Sequence, residues 1–249
     1  MLVLLPPSET KRAGGAGAPW SSAVLRLPQL APQREAVVSA LVELSRDEDA
    51  AAKVLKLSTR QRGEVAVNAA LRSSPTMPAV DRYTGVLFDA LDASSLDAPA
   101  RRWLGEHVLI HSAPFGPVGA LDPLPAYRLG AGTSLPGIAP LRRHWARAVT
   151  LALGEVGARF ILDMRSEAYV ALGPVPTESA SAYVRVVTTG EDGEVRALNH
   201  FNKHAKGALV RRLAQDRPRI ASRAAFLCWA EGAGIALVEA GDGEIRLTV

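Results

Sequence analysis

MLVLLPPSETK, residues 1–11, opens on LVLL, a short apolar run that Pro6 and Pro7 stop. An uninterrupted apolar run of that length, bounded by proline, reads as a strand buried on both faces. Other strand signals stand far away, at HVLIHSA (107–113) and RFILDM (159–164). Helical patterns fill most of the space between. Val37, Val38, Leu41 and Leu44 recur at helical spacing within 33–44, and Val54, Leu55 and Leu57 end an Ala-rich helical stretch. STRQRGEVAVNAALRSS (58–74) reads as a helix capped by Ser58 or Thr59. PTMP (75–78) breaks the chain, DRYTGVLFDAL (81–91) is helical, and SSLDAPARRWL (94–104) starts from a serine cap.

In the second half, PFGPVGALDPLPAYRLGAGTSLPG (114–137) is a long Gly- and Pro-rich segment, of the kind that is functional or tightly packed. APLRRHWARAVTLALGEVG (139–157) is an amphipathic helix with Pro140 in its first turn and Gly157 past its end. AYVRVVTTGEDGEVRAL (182–198) and GIALVEAGDGEIRLTV (234–249) are hairpins with Asp192-Gly193 and Asp242-Gly243 at their turns. RAAFLCWAE (223–231) adds a strand. Strands at 2–5 and 107–113 interleaved with helices fit neither a regular β-α-β alternation nor an all-β pattern. The reading is α+β: a single domain over 1–249 with a mixed β-sheet surrounded by helices.

With 249 residues, 48% of them hydrophobic, the chain can bury a sizeable core and is not a disordered one. Its net charge of +4 is a mild excess that permits an anionic partner without requiring one. The single cysteine, Cys228, excludes an internal disulfide, and its apolar setting in AFLCWA predicts a buried, inert thiol. The first residues lack the basic region of a signal peptide, and no apolar stretch approaches the roughly 20 residues of a membrane span. The expectation is a cytoplasmic protein without a membrane partner.

Several motifs carry chemistry in one reading and structure in another. Gly14, Gly15 and Gly17 fit neither the P-loop nor the dinucleotide fingerprint. Ser8, Glu9 and Lys11 lie just past a strand end, where ligand sites gather in sheet proteins. Ser166 and Glu167 follow the strand at 159–164; serine can cap a short helix there, or Glu167 can act as a general base. His200 and His204 are four apart, but no further ligands complete a metal set, and His107, His111 and His144 stand on separate elements. Tyr83, Tyr127 and Phe115 are too few for a single-strand stacking platform. No metal site and no cofactor are expected. In LNHFNKHAKGALVRRLAQD (198–216), Asn202 reads as an N-cap, with Lys203, His204 and Lys206 at the helix start. The helix dipole disfavours cations there, so they are either solvated or face an anion together with the free N–H groups.

Taken in order, MLVLLPPSETK, RYTGVLFDAL, PFGPVGALDPLPAYRLGAG, RSEAY and NHFNKHAKG resemble the YaaA family of peroxide-stress proteins, across essentially the whole chain. The composition resembles an actinobacterial branch. Two departures stand out: His204 and Lys206 occupy positions where many members have lysine and arginine, and HSAPFG replaces a more usual SGLYG-like segment. The resemblance implies a YaaA-like fold with a helix-hairpin-helix element, a basic cleft, DNA binding, and a response to oxidative stress that limits free intracellular iron. It places basic positions at Lys11, Arg128, Lys203 and Lys206, and carries Tyr83, Thr84, Gly85, Ser166, Glu167 and Tyr169 as matched positions.

Two functions follow as expectations. In one, Lys11, Arg128, Asn202, Lys203 and Lys206 line a groove that holds a DNA duplex by its phosphates, without reading sequence. In the other, the same cleft binds a small phosphorylated or nucleotide-like substrate, with Glu167 as acid or base and Lys203 as nucleophile or charge stabiliser. Direct iron binding needs a ligand cluster that the sequence does not show.

Overall fold

A computed structural model describes residues 1–189, 195–196, 199–241 and 243–248; at 188–189, 195–196 and 199–200 it describes the backbone alone. The LVLL run forms β1 (Leu2–Leu5), buried throughout. In chain order follow β2 (Gly17–Pro19), α1 (Ala31–Leu44), α2 (Glu48–Val54), α3 (Gly63–Ala69), β3 (Pro75–Pro78), α4 (Ala79–Arg82), α5 (Val86–Leu91), α6 (Ala98–His107), β4 (Val108–Ser112), β5 (Gly116–Gly119) and β6 (Pro123–Leu124). Then come α7 (Leu141–Glu155), β7 (Ile161–Asp163), α8 (Glu167–Val170), β8 (Ser181–Thr189), β9 (Val195–Arg196), α9 (Asn199–Asp216), α10 (Arg223–Gly232), β10 (Leu237–Glu239) and β11 (Glu244–Thr248).

β1 lies between β4 and β7 and is parallel to both, with Val3 opposite Val108 on one side and Leu162 on the other. β7 pairs parallel with β8, and β8 with β11. Antiparallel strands close the two edges, β5 on β4 and β10 on β11, while β9 pairs with β8. The large sheet therefore runs β10-β11-β8-β7-β1-β4-β5, and a small second sheet joins β2, β3 and β6. A parallel centre needs cover on both faces, which explains why β1 is apolar throughout, β4 is apolar over Val108–Ile110, and both are buried at every residue. The mixed sheet, with helices around it, is the α+β architecture expected.

Local details depart from expectation in six places, the first being that 81–91 is not one helix but the end of α4 and the whole of α5, parted at Tyr83, Thr84 and Gly85. RAAFLCWAE is the helix α10, not a strand: Ser222 caps it by accepting from the Ala225 N–H, and Phe226 and Ala230, four apart, are its buried residues. Cys228 sits on the opposite side of that helix and is exposed. PTMP is the strand β3, which pairs with both β2 and β6; two prolines are tolerated in so short a sheet. The helix near 94–104 is capped by Asp97, whose side chain accepts from Ala100 N at 2.8 Å. The last helix of the opening motif set, α9, begins at Asn199, so Asn202 lies within its first turn and is not the cap. The expected turn residues Asp192, Gly193 and Asp242 fall outside the described residues.

α9 packs closely on α5. A Cβ placed on Gly207 would stand 2.1 Å from the Leu87 carbonyl oxygen and 2.9 Å from the Ala90 Cβ. The helices therefore approach backbone to backbone at this point. Gly207→Ala should lower unfolding free energy by about 1–3 kcal/mol, the usual cost of overpacking. Urea denaturation checks this, with an unchanged midpoint counting against the close approach.

Candidate functional site

Because β1, β4 and β7 are parallel, their carboxyl ends reach the same edge of the sheet, where ligand crevices form in such sheets. Three segments meet there: residues 6–12 after β1, the stretch Met164–Tyr169 after β7, and the Tyr83–Gly85 turn between α4 and α5. Lys11 and Tyr83 form an antiparallel bridge, Thr84 N donates to Thr10 O at 3.2 Å, and Thr84 Oγ1 donates to Thr10 Oγ1 at 2.9 Å. Gly85 has φ +93°, and the hydroxyls of Ser8 and Thr10 stand 3.3 and 3.4 Å from where its Cβ would be. Only glycine adopts that backbone readily, which accounts for the YTG motif.

Lys11 is the centre of this half. Its Nζ donates to Ser8 O at 3.0 Å and Glu9 O at 3.2 Å, and lies 4.0 Å from the Tyr127 ring centroid and 5.5 Å from that of Tyr83. Two carbonyls and two ring faces suit an ammonium. Burial opposes the charge, as does the Arg128 guanidinium, and together they pull the Lys11 pKa down to about 7 against the smaller pull of Glu64 and Glu9. The Tyr83 and Tyr127 hydroxyls are 2.8 Å apart, and burial pushes both phenols well above their ordinary range. Tyr169 is raised in the same way, first by burial and then by Glu9. Arg128 is fixed through its backbone: the buried Asn68 amide accepts from Arg128 N at 2.7 Å and donates to Arg128 O at 2.9 Å. Its guanidinium reaches the exposed Glu9 carboxylate at 3.2 Å.

Arg165 joins this half to the next. Fully buried, it donates from Nε and Nη2 to the two oxygens of Asp163 at 2.9 and 2.6 Å, and from Nη1 to Gly173 O and His111 Nδ1 at 2.8 and 2.9 Å. A guanidinium can only donate, so His111 Nδ1 accepts and Nε2 carries the imidazole proton. Burial and the adjacent guanidinium push the His111 pKa well below its ordinary value, so the ring is neutral. The ring lies 5.9 Å from that of Tyr169. Tyr183 of β8 donates its hydroxyl to Arg165 O at 3.0 Å. Lys206 of α9 stands over the Tyr183 ring at 5.5 Å, and burial lowers its pKa to about 8 while Asp163 resists.

The expected residues thus separate. Ser8, Glu9, Lys11, Tyr83, Thr84, Gly85, Arg128 and Tyr169 assemble into one centre. Lys203 and Lys206 do not share an environment despite their spacing of three: Lys203 is exposed and Lys206 buried. Glu167 is not a buried base; its side chain is 81% exposed and stands 3.8 Å from Arg185 Nη1. Ser166 precedes α8 at the cap position, but its side chain makes no cap hydrogen bond. Sequence reading passed over Asp163, Arg165, Tyr183 and Arg185, and weighed His111 only as a metal ligand. An aspartate at the last position of an apolar strand, followed two residues later by arginine, was the available signal for the first two.

Two consequences are measurable. Arg165→Met leaves the Asp163 carboxylate buried without its partner and should cost about 3–5 kcal/mol of stability, read from chemical denaturation. A Lys11 pKa lowered in the folded state means that the unfolded chain binds more protons between about pH 7 and the ordinary lysine value of 10.5. Stability from this group therefore rises with pH across that window. Lys11→Met should flatten the rise, and melting temperatures of wild type and variant measured from pH 7 to 10 check it; parallel curves would refute the shift.

Comparison with known proteins agrees with the motif order. The family described as peroxide stress protein YaaA matches residues 1–226. A UPF0246 protein of Corynebacterium efficiens is 45% identical over 248 residues, 98% of this chain and 96% of that protein. One from Corynebacterium glutamicum is 40% identical over 253 residues, covering 100% and 99%. One from Streptomyces coelicolor is 45% identical over 217 residues, covering 86% and 82%. With the ordered motifs converging on one sheet edge, and similarity running through nearly the full length of its relatives, the chain belongs to the YaaA family of peroxide-stress proteins.

Proposed function

We propose that this chain serves the bacterial peroxide-stress response as an enzyme-like protein, working on a small molecule at the carboxyl edge of the sheet. The observation that carries the reading is the state of Lys11. A lysine that neutralises duplex phosphates stands in solvent with a full charge. Lys11 is instead clasped by two carbonyls and two rings, and its pKa of about 7 matches the working pH of a proton-transfer group or amine nucleophile. Arg128 beside it supplies a fixed cation for an anionic substrate group, and the Tyr83–Tyr127 pair supplies hydroxyls that stay protonated. Limitation of free iron is then a downstream result of that chemistry.

Duplex binding is the second reading. Lys203 and His204, exposed on the first turns of α9, favour it over the Lys11 centre as the place of phosphate contact. Two measurements separate the readings. Small molecules released from the purified protein by heat are identified by mass spectrometry; a compound present with wild type and lost with Lys11→Met is the expected result. In parallel, affinity for a short duplex is measured between about 50 and 200 mM salt, where phosphate-driven binding falls steeply. The small-molecule reading fails if duplex affinity has that steep dependence and Lys11→Met, but not Lys203→Ala, removes it.

A further inference from the structure

Lys206 is 5% exposed, yet among the described residues its ammonium makes no hydrogen bond or ion pair. A buried cation is normally paired, because desolvation without a partner costs several kcal/mol. The carboxylates nearby are committed elsewhere. Asp163 is taken up by the bidentate Arg165 and also accepts the Arg165 N–H at 3.0 Å. Glu244 binds Nε and Nη2 of Arg185 through three contacts of 3.2, 3.1 and 2.7 Å. Arg185 keeps Nη1 in reserve: Glu167 is 3.8 Å from it, beyond a hydrogen bond, on a largely exposed side chain.

A second cation shares the setting. The Arg185 guanidinium lies 5.6 Å from the Tyr183 ring centroid, and Lys206 Nζ lies 5.5 Å from the same point. Two like charges near one ring repel each other; Lys206 has no hydrogen-bond acceptor among the described residues, and Arg185 Nη1 has only the distant Glu167. An oxyanion set between them would supply those acceptors and remove the repulsion. The place is also suitable. Tyr183 is tied to Arg165 O at the end of β7, on the carboxyl edge that carries the Lys11 centre, and α9 is held against α5 by the Gly207 contact.

We propose that Lys206 and Arg185, both within 5.6 Å of the Tyr183 ring centroid, form an oxyanion subsite for a phosphate or carboxylate group of a small ligand. This rests on the small-molecule reading above. It assigns the buried lysine of α9 to the ligand and leaves the exposed Lys203 out of the site. Arginine at 206 keeps the positive charge and offers five N–H donors in place of three.

Calorimetric titration of the full-length protein with inorganic phosphate, adenosine monophosphate and acetate tests the proposal and separates phosphate from carboxylate as the source of the oxyanion. At least one probe should bind, Lys206→Met and Arg185→Gln should each weaken it about tenfold or more, and Lys206→Arg should stay close to wild type. The 13C-dimethylated Lys206 signal should titrate near 8 in the free protein and move upward when the probe is bound. Circular dichroism confirms that Lys206→Met is folded; if it is not, the binding of Lys206→Arg and the Lys206 titration decide. Failure of every probe to bind, or equal binding by wild type and both charge-removing variants, overturns the subsite. If a Lys11-dependent co-purified compound is still found, the subsite alone is wrong; if it is absent too, the small-molecule reading falls with it.

Discussion

The parallel pairing of β1 with two neighbours is the constraint on which the rest depends. A strand hydrogen-bonded on both sides in parallel sends its own carboxyl end, and those of its partners, to one edge. Pro6 and Pro7 then end β1 abruptly, because proline cannot continue the ladder. The chain turns at once, and Ser8 to Lys11 are delivered beside the residues after β7. Segments more than 150 residues apart in sequence become neighbours through the backbone alone, before any side chain is considered.

Electrostatics divide the edge that results. Arg165 donates to Asp163, His111 and Gly173 simultaneously and is wholly buried. Breaking one partner would leave the others desolvated, so the group is a rigid wall. On one side of it Lys11 faces phenols and Arg128; on the other Lys206 faces the Tyr183 ring and Arg185. Each lysine pays for its position in proton affinity, with burial the first cause in both cases. The two ammoniums differ in kind, however. Lys11 has acceptors of its own in the carbonyls of Ser8 and Glu9, whereas Lys206 has none among the described residues.

The sheet strands and the long helices were legible because their signals are local. LVLL, HVLIHSA and RFILDM carry unbroken apolar runs, and 33–44 and 139–157 carry helical spacing. RAAFLCWAE was misread because seven of its residues in a row are apolar or small, which hides the spacing of Phe226 and Ala230. The serine at 222 was the deciding mark, and it lies outside the run. In the site, residues fixed by short motifs could be found. Arg185 and Tyr183 could not, because β8 reads as an ordinary alternating strand and nothing local says that α9 will lay a lysine over one of its rings.

The contrast between Lys203 and Lys206 shows why spacing alone was not enough. Three residues apart on a helix, they are neighbours, and sequence reading gave them one role. α9 seats Gly207 closely on Leu87, and in that orientation position 206 is buried and 203 exposed. A cation that is moved only one turn along a helix thereby passes from solvent to a desolvated slot. Lys206 is the eighth residue of α9, beyond the first turn where the helix dipole acts, so burial is the cost that counts. The puzzle of basic residues at a helix start is therefore a puzzle about burial at one residue. A side chain of Met or Leu at 206 would fill the same slot without that cost, so the charge itself needs a reason, and an anion held against Arg185 supplies one.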